Sequence, residues 1–258
     1  MPEVHPSAVV ERGATLAEGV RIGAQAYVGP EVELAAGVEI RAHAHVTGRT
    51  TIGEGSRIFP FAVVGEEPQD QSFSGESSEL VLGRENQIRE HAVLHVGTQK
   101  GGGSTRLGDQ NLIMNGVHLG HDCQVGSDVI IASLCAVAGH VQIEDHARIG
   151  GLSGIHQFAR IGESAMVAGM SGVSQDVPPF ALVSGNRATL SGLNVVGMRR
   201  LGFERDARRS IKHAYHLVFH SKLRLEEALE RVRAECGGSA EVARLLSFLE
   251  SSERGFVR

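Results

Sequence analysis

The chain has 258 residues, 41% of them hydrophobic and 21% charged, which is material for one large domain or one domain with a smaller appendage. No apolar run approaches the roughly 20 residues that cross a bilayer, and the opening MPEVHPSAVVERGA lacks a basic start followed by a long apolar core. The three cysteines, Cys123, Cys135 and Cys236, show no metal-type spacing, so a cytoplasmic protein without disulfides, signal peptide or integral membrane association is expected.

The elements follow from a repeat. Read in sixes from Val4, the leading positions are Val4, Val10, Leu16, Ile22, Val28, Leu34, Ile40, Val46, Ile52, Ile58 and Val64, all aliphatic. Four residues after each of the first ten stands a small or β-branched residue, from Ala8 and Ala14 to Ser56 and Ala62. No helical period of 3.6 fits this pattern. A hexad with one large and one small inward residue makes a short strand and a corner. Three hexads close a triangular coil, and coils stack at the inter-strand spacing of about 4.8 Å.

The repeat breaks near 65–80, where an excursion is expected, and returns at Leu82, Ile88 and Leu94. It breaks again at QKGGGST, then runs on from Leu107 to Val173. The 33 glycines, the absence of tryptophan and only two tyrosines agree with many tight turns around a core of small aliphatics. Cys123 and Cys135 fall in the small inward slot and read as core.

From Pro178 the pattern stops, and the chain divides into a prism over 1–190 and a tail over 191–258. Amphipathic helices are predicted in the tail near 191–201, 204–220, 224–236 and 240–252. In LEEALERVRAEC, for example, Leu225, Ala228, Leu229 and Val232 share one face. The net charge of −5 hides an asymmetry. Residues 1–190 carry 12 Lys/Arg against 21 Asp/Glu, whereas residues 191–258 carry 13 against 9. The basic run Arg199, Arg200, Arg205, Arg208, Arg209 and Lys212 is either a solvated helix face or a dock for an acidic partner. No aromatic platform accompanies it, so nucleic acid is not an expected ligand.

Residues 18 apart lie above one another on the prism. His121, the pair Gly139 and His140, and the pair His156 and Gln157 therefore come to one corner in three consecutive coils, with His118 close to His121. A neutral imidazole is suited to take a proton from a hydroxyl nucleophile once its tautomer is fixed. Asp122 is a candidate orienting carboxylate, or acts through backbone contacts instead. Glycine at a corner lets an N–H approach a developing oxyanion, which makes Gly139 a candidate donor. Direct transfer is expected, because no serine or cysteine nucleophile elbow is present. The plainer alternative is a set of solvated corner residues. His43, His45, His91, His95, His146, His213, His216 and His220 read as surface or packing residues.

The hexads resemble the hexapeptide-repeat acyltransferase superfamily, which implies a left-handed parallel β-helix; the general crossover rule would give the opposite hand. The blocks VGEEPQD, GRENQIRE, HVGT with GGG, HLGHDC, AGHV, IHQF, SGVSQDVPPF, GNRAT and NVVGMRRLGF together resemble one branch. That branch is the acyl-carrier-protein-dependent UDP-N-acetylglucosamine O-acyltransferases of lipid A biosynthesis. The resemblance implies a homotrimer with sites between adjacent prisms, no cofactor, and acyl carrier protein and UDP-N-acetylglucosamine as partners. It makes His121 the base for the glucosamine 3-hydroxyl, with Asp122 beside it and Gly139 the oxyanion amide. His118, His140, His156 and Gln157 would line the pocket, Asp70 would contact the sugar, and Asn194 and Arg200 the uridine diphosphate. Gly169 matches the position proposed to cap the acyl groove and set chain length.

Ser72, Val96, Val196 and Leu201 stand where the family more often carries charge, removing charge around the presumed diphosphate and uracil. A 3-amino acceptor, an N-acyltransferase on the same fold, a coenzyme A-dependent acetyltransferase, a zinc enzyme built on His118, His121 and His140, and a non-catalytic scaffold are the rival readings.

Overall fold

The computed structural model describes residues 1–258. Short strands, mostly of two residues, stack into three sheets of eleven, nine and eight strands, and consecutive strands of the chain fall in different sheets. Pairing is parallel up to Ala181–Ser184, and within the unbroken repeat each strand meets the one three hexads further on, as in Arg21 with Glu39 and His118 with Ala136. This is the left-handed parallel β-helix expected from the repeat and the resemblance.

Each strand turns its hexad leader inward, and from Ile22 to Val173 these side chains are buried. Cys123 and Cys135 occupy small inward slots as free thiols, and burial pushes the Cys123 thiol up to about 12. Two such slots hold asparagines instead. Asn86 donates to the carbonyls of Gly83 and Gly108, and its own oxygen accepts the Asn111 N–H. The buried amides thus replace apolar contacts with satisfied hydrogen bonds.

The corners use left-handed backbone at residues other than glycine, in columns one coil apart. One column is Leu134, Leu152 and Met170; a second is Asp122, His140 and Phe158; a third is Gln110, Asp128, His146 and Ser164. Such conformations cost an isolated residue roughly 1–2 kcal/mol. They persist because the coils on either side fix the corner through hydrogen bonds such as His140 N–H to the His121 carbonyl.

Both breaks in the repeat leave the prism at the second corner. The chain departs after the strand Val63–Glu66 and rejoins at Glu79–Leu82; it departs again after Val93–His95 and rejoins at Ser104–Leu107. The rejoining strands continue their sheet without a slip, Arg49–Ile52 pairing with Glu79–Leu82 and that with Ser104–Leu107.

The tail differs from its prediction at its start. Thr189–Leu193 pairs antiparallel with Ala181–Ser184, so the first helix spans only Val195–Arg200. Residues 191–193 are claimed by open hydrogen-bonding groups on the last sheet. Helices then cover Arg205–Tyr215, widening to a π-type turn over His216–His220, Leu225–Cys236 and Ala240–Glu250. Their inner faces, including Met198, Ile211, Tyr215, Val232 and Leu245, join the apolar cluster that fills the prism. The segment Ser251–Arg258 then straps back over the prism, with Asp176 N–H bonded to the Gly255 carbonyl and Val257 N–H to the Asp176 carbonyl.

Candidate functional site

The second corner collects the polar chemistry. His121 Nδ1 lies 2.7 Å from Asp122 Oδ2. The Asp122 side chain is fully buried and also accepts the Thr98 N–H at 2.8 Å and the Thr98 hydroxyl at 2.7 Å. The left-handed backbone of Asp122, which aspartate tolerates, turns the carboxylate under its own corner, and its N–H donates to Thr105 Oγ1. A carboxylate only accepts, so Nδ1 of neutral His121 carries the proton and Nε2 presents its lone pair. Asp122 therefore contacts the imidazole and a backbone N–H at once, so the two roles open to it from sequence coincide.

Glycine is required at two places around this pair. A Cβ on Gly101 would lie 2.0 Å from Asp122 Cγ, and one on Gly139 would lie 2.7 Å from both Cε1 and Nε2 of His121. The Gly139 N–H donates to no group of the chain. Gly139→Ala displaces the His121 ring, so kcat falls about 10²-fold, as for other misplacements of about 1 Å. The melting temperature changes little. Kinetics alongside thermal denaturation test this.

The neighbouring imidazoles are held toward neutrality. Burial lowers the pKa of His140, partly offset by Asp122, whose Oδ2 is 3.8 Å from His140 Nδ1. The His140 ring stacks on Phe158 and meets His121 edge-on. Burial likewise lowers His118, with His95 and His121 adding like charge. His95 is the packing residue, rather than the surface one, of the two readings open to it. It is buried beneath the first excursion, donates through Nδ1 to the Glu67 carbonyl at 2.7 Å and lies 5.1 Å from the His118 ring.

The excursions supply groups that counting hexads does not reveal. Thr98 and Gly101 come from the second. Asp70, in the first, accepts the Ser72 N–H, which lowers its carboxyl, with smaller contributions from His121 and Lys100. Lys100 thus brings a cation to the region where Ser72 leaves one out. Val96, another uncharged departure, is buried in the core.

His156 and Gln157 lie on the same corner, two coils above His121, and both are exposed. Three predicted residues lie elsewhere. Asn194 caps the first helix, its Oδ1 accepting the Gly197 N–H and its Nδ2 donating to the Ser164 carbonyl in the third column. Arg200 ends that helix. Gly169 neighbours Met170, in the column of Leu134 and Leu152. Counted from His121, it stands two coils plus two thirds of a turn further on, which carries it to another edge. Within one chain Gly169 is therefore not above His121.

The three-histidine metal set does not form, because His118 packs on His95. The side chains that do converge are His121, Asp122 and His140, whose ligand atoms lie within 4.8 Å of one another. A cation there would compete with Thr98 and His121 for the Asp122 oxygens, a donor set arranged for hydrogen bonding.

Residues 176–257 match the family model described as UDP N-acetylglucosamine O-acyltransferase, domain 2, and residues 104–139 match the bacterial transferase hexapeptide. An acyl-[acyl-carrier-protein]–UDP-N-acetylglucosamine O-acyltransferase of Anaeromyxobacter sp. (strain Fw109-5) is 49% identical over 99% of both chains. The Myxococcus xanthus protein of the same name is 48% identical over the full length of both. Among solved structures, LpxA from Acinetobacter baumannii superposes with a TM-score of 0.96 at 41% identity over 99% of both chains. The UDP-N-acetylglucosamine acyltransferase from Campylobacter jejuni gives 0.94 at 40% identity, over 99% of this chain and 100% of that one.

Proposed function

The chain belongs to the acyl-[acyl-carrier-protein]–UDP-N-acetylglucosamine O-acyltransferase family, and from that membership we propose a direct transfer with His121 as general base. A 3-hydroxyacyl chain passes from acyl carrier protein to the glucosamine 3-hydroxyl of UDP-N-acetylglucosamine, the opening step of lipid A biosynthesis. Nε2 of His121 takes the hydroxyl proton as the oxygen attacks the thioester carbonyl. The tetrahedral oxyanion is held by the Gly139 N–H. Collapse breaks the C–S bond, and protonated His121 returns its proton to the leaving thiolate.

The observation that carries this reading is the 2.7 Å contact of His121 Nδ1 with a buried, doubly anchored Asp122, which leaves Nε2 free as a base. Asp70, His118, His140, His156 and Gln157 are assigned to substrate. Asn194 and Arg200 sit on another edge of the prism, which supports their serving a neighbouring copy in a homotrimer, and Gly169 is assigned to the acyl groove in the same way. No helix of the chain is long and apolar enough to cross a membrane.

Mass spectrometry after incubation with 3-hydroxyacyl carrier proteins of several lengths and UDP-N-acetylglucosamine tests the reaction. A monoacylated UDP-sugar is expected. Its absence, with product appearing only on the 3-amino analogue, would replace the acceptor in this reading. In the same assay Gly169→Met shifts the product profile to shorter chains, because the new side chain occupies groove length. An unchanged profile would remove Gly169 from the acyl site.

A further inference from the structure

A cleft of about 930 Å³ lies between the top of the second corner and the helices, under the strap Ser251–Arg258. Arg187, Arg254, Arg258 and His156 line it, together with hydroxyl and amide groups that include Ser174 and Gln175, and no acidic side chain does. None of the three arginines forms an ion pair within the chain, although most arginines of the prism do. Arg254 donates through Nε to the Ser174 carbonyl at 2.8 Å and through Nη2 to His156 Nδ1 at 2.9 Å. The same Nδ1 lies 3.0 Å from the Gln157 carbonyl, so the imidazole is pinned between Arg254 and its own corner. Three guanidiniums without a carboxylate partner, facing one concavity beside an imidazole, make an anion site, and the guanidinium fork matches a phosphate in particular.

Height separates the phosphates this reaction offers. From His121 the corner passes through Gly139 and Gln157 to Gln175 in three coils, a rise of about 14 Å at the inter-strand spacing. The diphosphate of the nucleotide sugar hangs from the ring whose hydroxyl reacts at His121, which puts it well short of that height. The pantetheine arm of a carrier protein runs through roughly thirteen bonds from its sulfur to its phosphodiester, a reach of about 15 Å at backbone bond lengths.

We propose that Arg187, Arg254 and Arg258, with His156, form a binding site for the phosphate ester of the pantetheine arm. The site holds the arm three coils above the thioester and links it, through Arg254, to the histidine ladder. This inference rests on the carrier-protein reading of the function.

The test compares wild type with the Arg187→Gln, Arg258→Gln double variant. Both residues are exposed, and neither side chain makes a hydrogen bond that the fold needs. Binding of pantetheine 4′-phosphate, and of inorganic phosphate as control, is read by calorimetry without turnover. The KM values for acyl carrier protein and UDP-N-acetylglucosamine are read separately. The double variant is expected to bind the pantetheine phosphate at least about tenfold more weakly, the loss typical of a charge-assisted hydrogen bond. Its KM for carrier protein rises by a similar factor, and its KM for the UDP-sugar is unchanged. Arg254→Gln reproduces the rise with a changed pH profile of kcat/KM. A rise confined to the UDP-sugar assigns the cleft to the nucleotide diphosphate and overturns the proposal, as does probe binding that the substitutions leave intact. Inorganic phosphate binding as tightly as the ester reduces the site to one for a free ion and also overturns it. Wild type that binds the ester but acylates no UDP-sugar overturns the function and leaves the cleft standing.

Discussion

Replacing His121 by alanine lowers kcat/KM about 10³-fold, within the roughly 10²–10⁴ range that positioned general bases contribute. The loss falls on kcat, since proton removal occurs only on the way to the transition state. Folding is spared. The ring lies against Gly139, and its one strong bond is to Asp122, which keeps both Thr98 donors after the imidazole is gone. Single-turnover rates with a pre-loaded carrier protein, read with the thermal midpoint, check both halves. A variant within tenfold of wild type would remove His121 from the chemistry.

Asp122→Asn is nearly isosteric, yet its expected effect is of the same order. The introduced amide oxygen still accepts from Thr98, and the new NH₂ then faces His121 Nδ1. That amide donates rather than accepts, so Nδ1 becomes the unprotonated nitrogen and Nε2 takes the proton, which is the wrong tautomer for a base. Loss of about 10²–10⁴ in kcat follows, as in triads where the orienting carboxylate becomes an amide. The thermal midpoint falls only slightly, because the backbone contacts of the corner stay. A kcat within a few-fold of wild type would show that the carboxylate contact at Nδ1 does not set the tautomer. An ¹⁵N spectrum of the imidazole reads the exchange of protonated nitrogen without catalysis.

How much of this was legible before the structure depends on where the period holds. Inside unbroken hexads, counting by whole coils gives contacts: His121, Gly139, His140 and His156 meet at one corner because their separations are close to multiples of three hexads. The same counting places Gly169 on another edge, since its distance from His121 is not a whole number of coils. Across the two excursions counting fails. His95, Thr98, Lys100 and Gly101 stand more than one coil before His121, and a path outside the prism carries no register. Thr98, Lys100 and Gly101 reach Asp122 and Asp70 by loop geometry alone, whereas His95 ends a strand whose Leu94 pairs with Leu119, which seats it beside His118. The GGG run was the available signal, because a side chain at Gly101 would occupy the carboxylate's place. In the tail, helical periodicity found four helices but not the strand Thr189–Leu193, whose sequence TLSGL is strand only because an open sheet edge receives it.

The two excursions carry a consequence for how such an enzyme is assembled over evolutionary time. Arg49–Ile52, Glu79–Leu82 and Ser104–Leu107 stack in one continuous register, although the chain between each and the next is longer than the three hexads that close an ordinary coil. An insertion at a corner therefore lengthens the path between floors without rotating any floor above it. Loops of this kind behave as cassettes: their length and content can drift, or be grafted, while every later residue keeps its neighbours. A solenoid of identical storeys thereby acquires a reactive storey wherever two cassettes bracket it, and its chemistry changes independently of its frame.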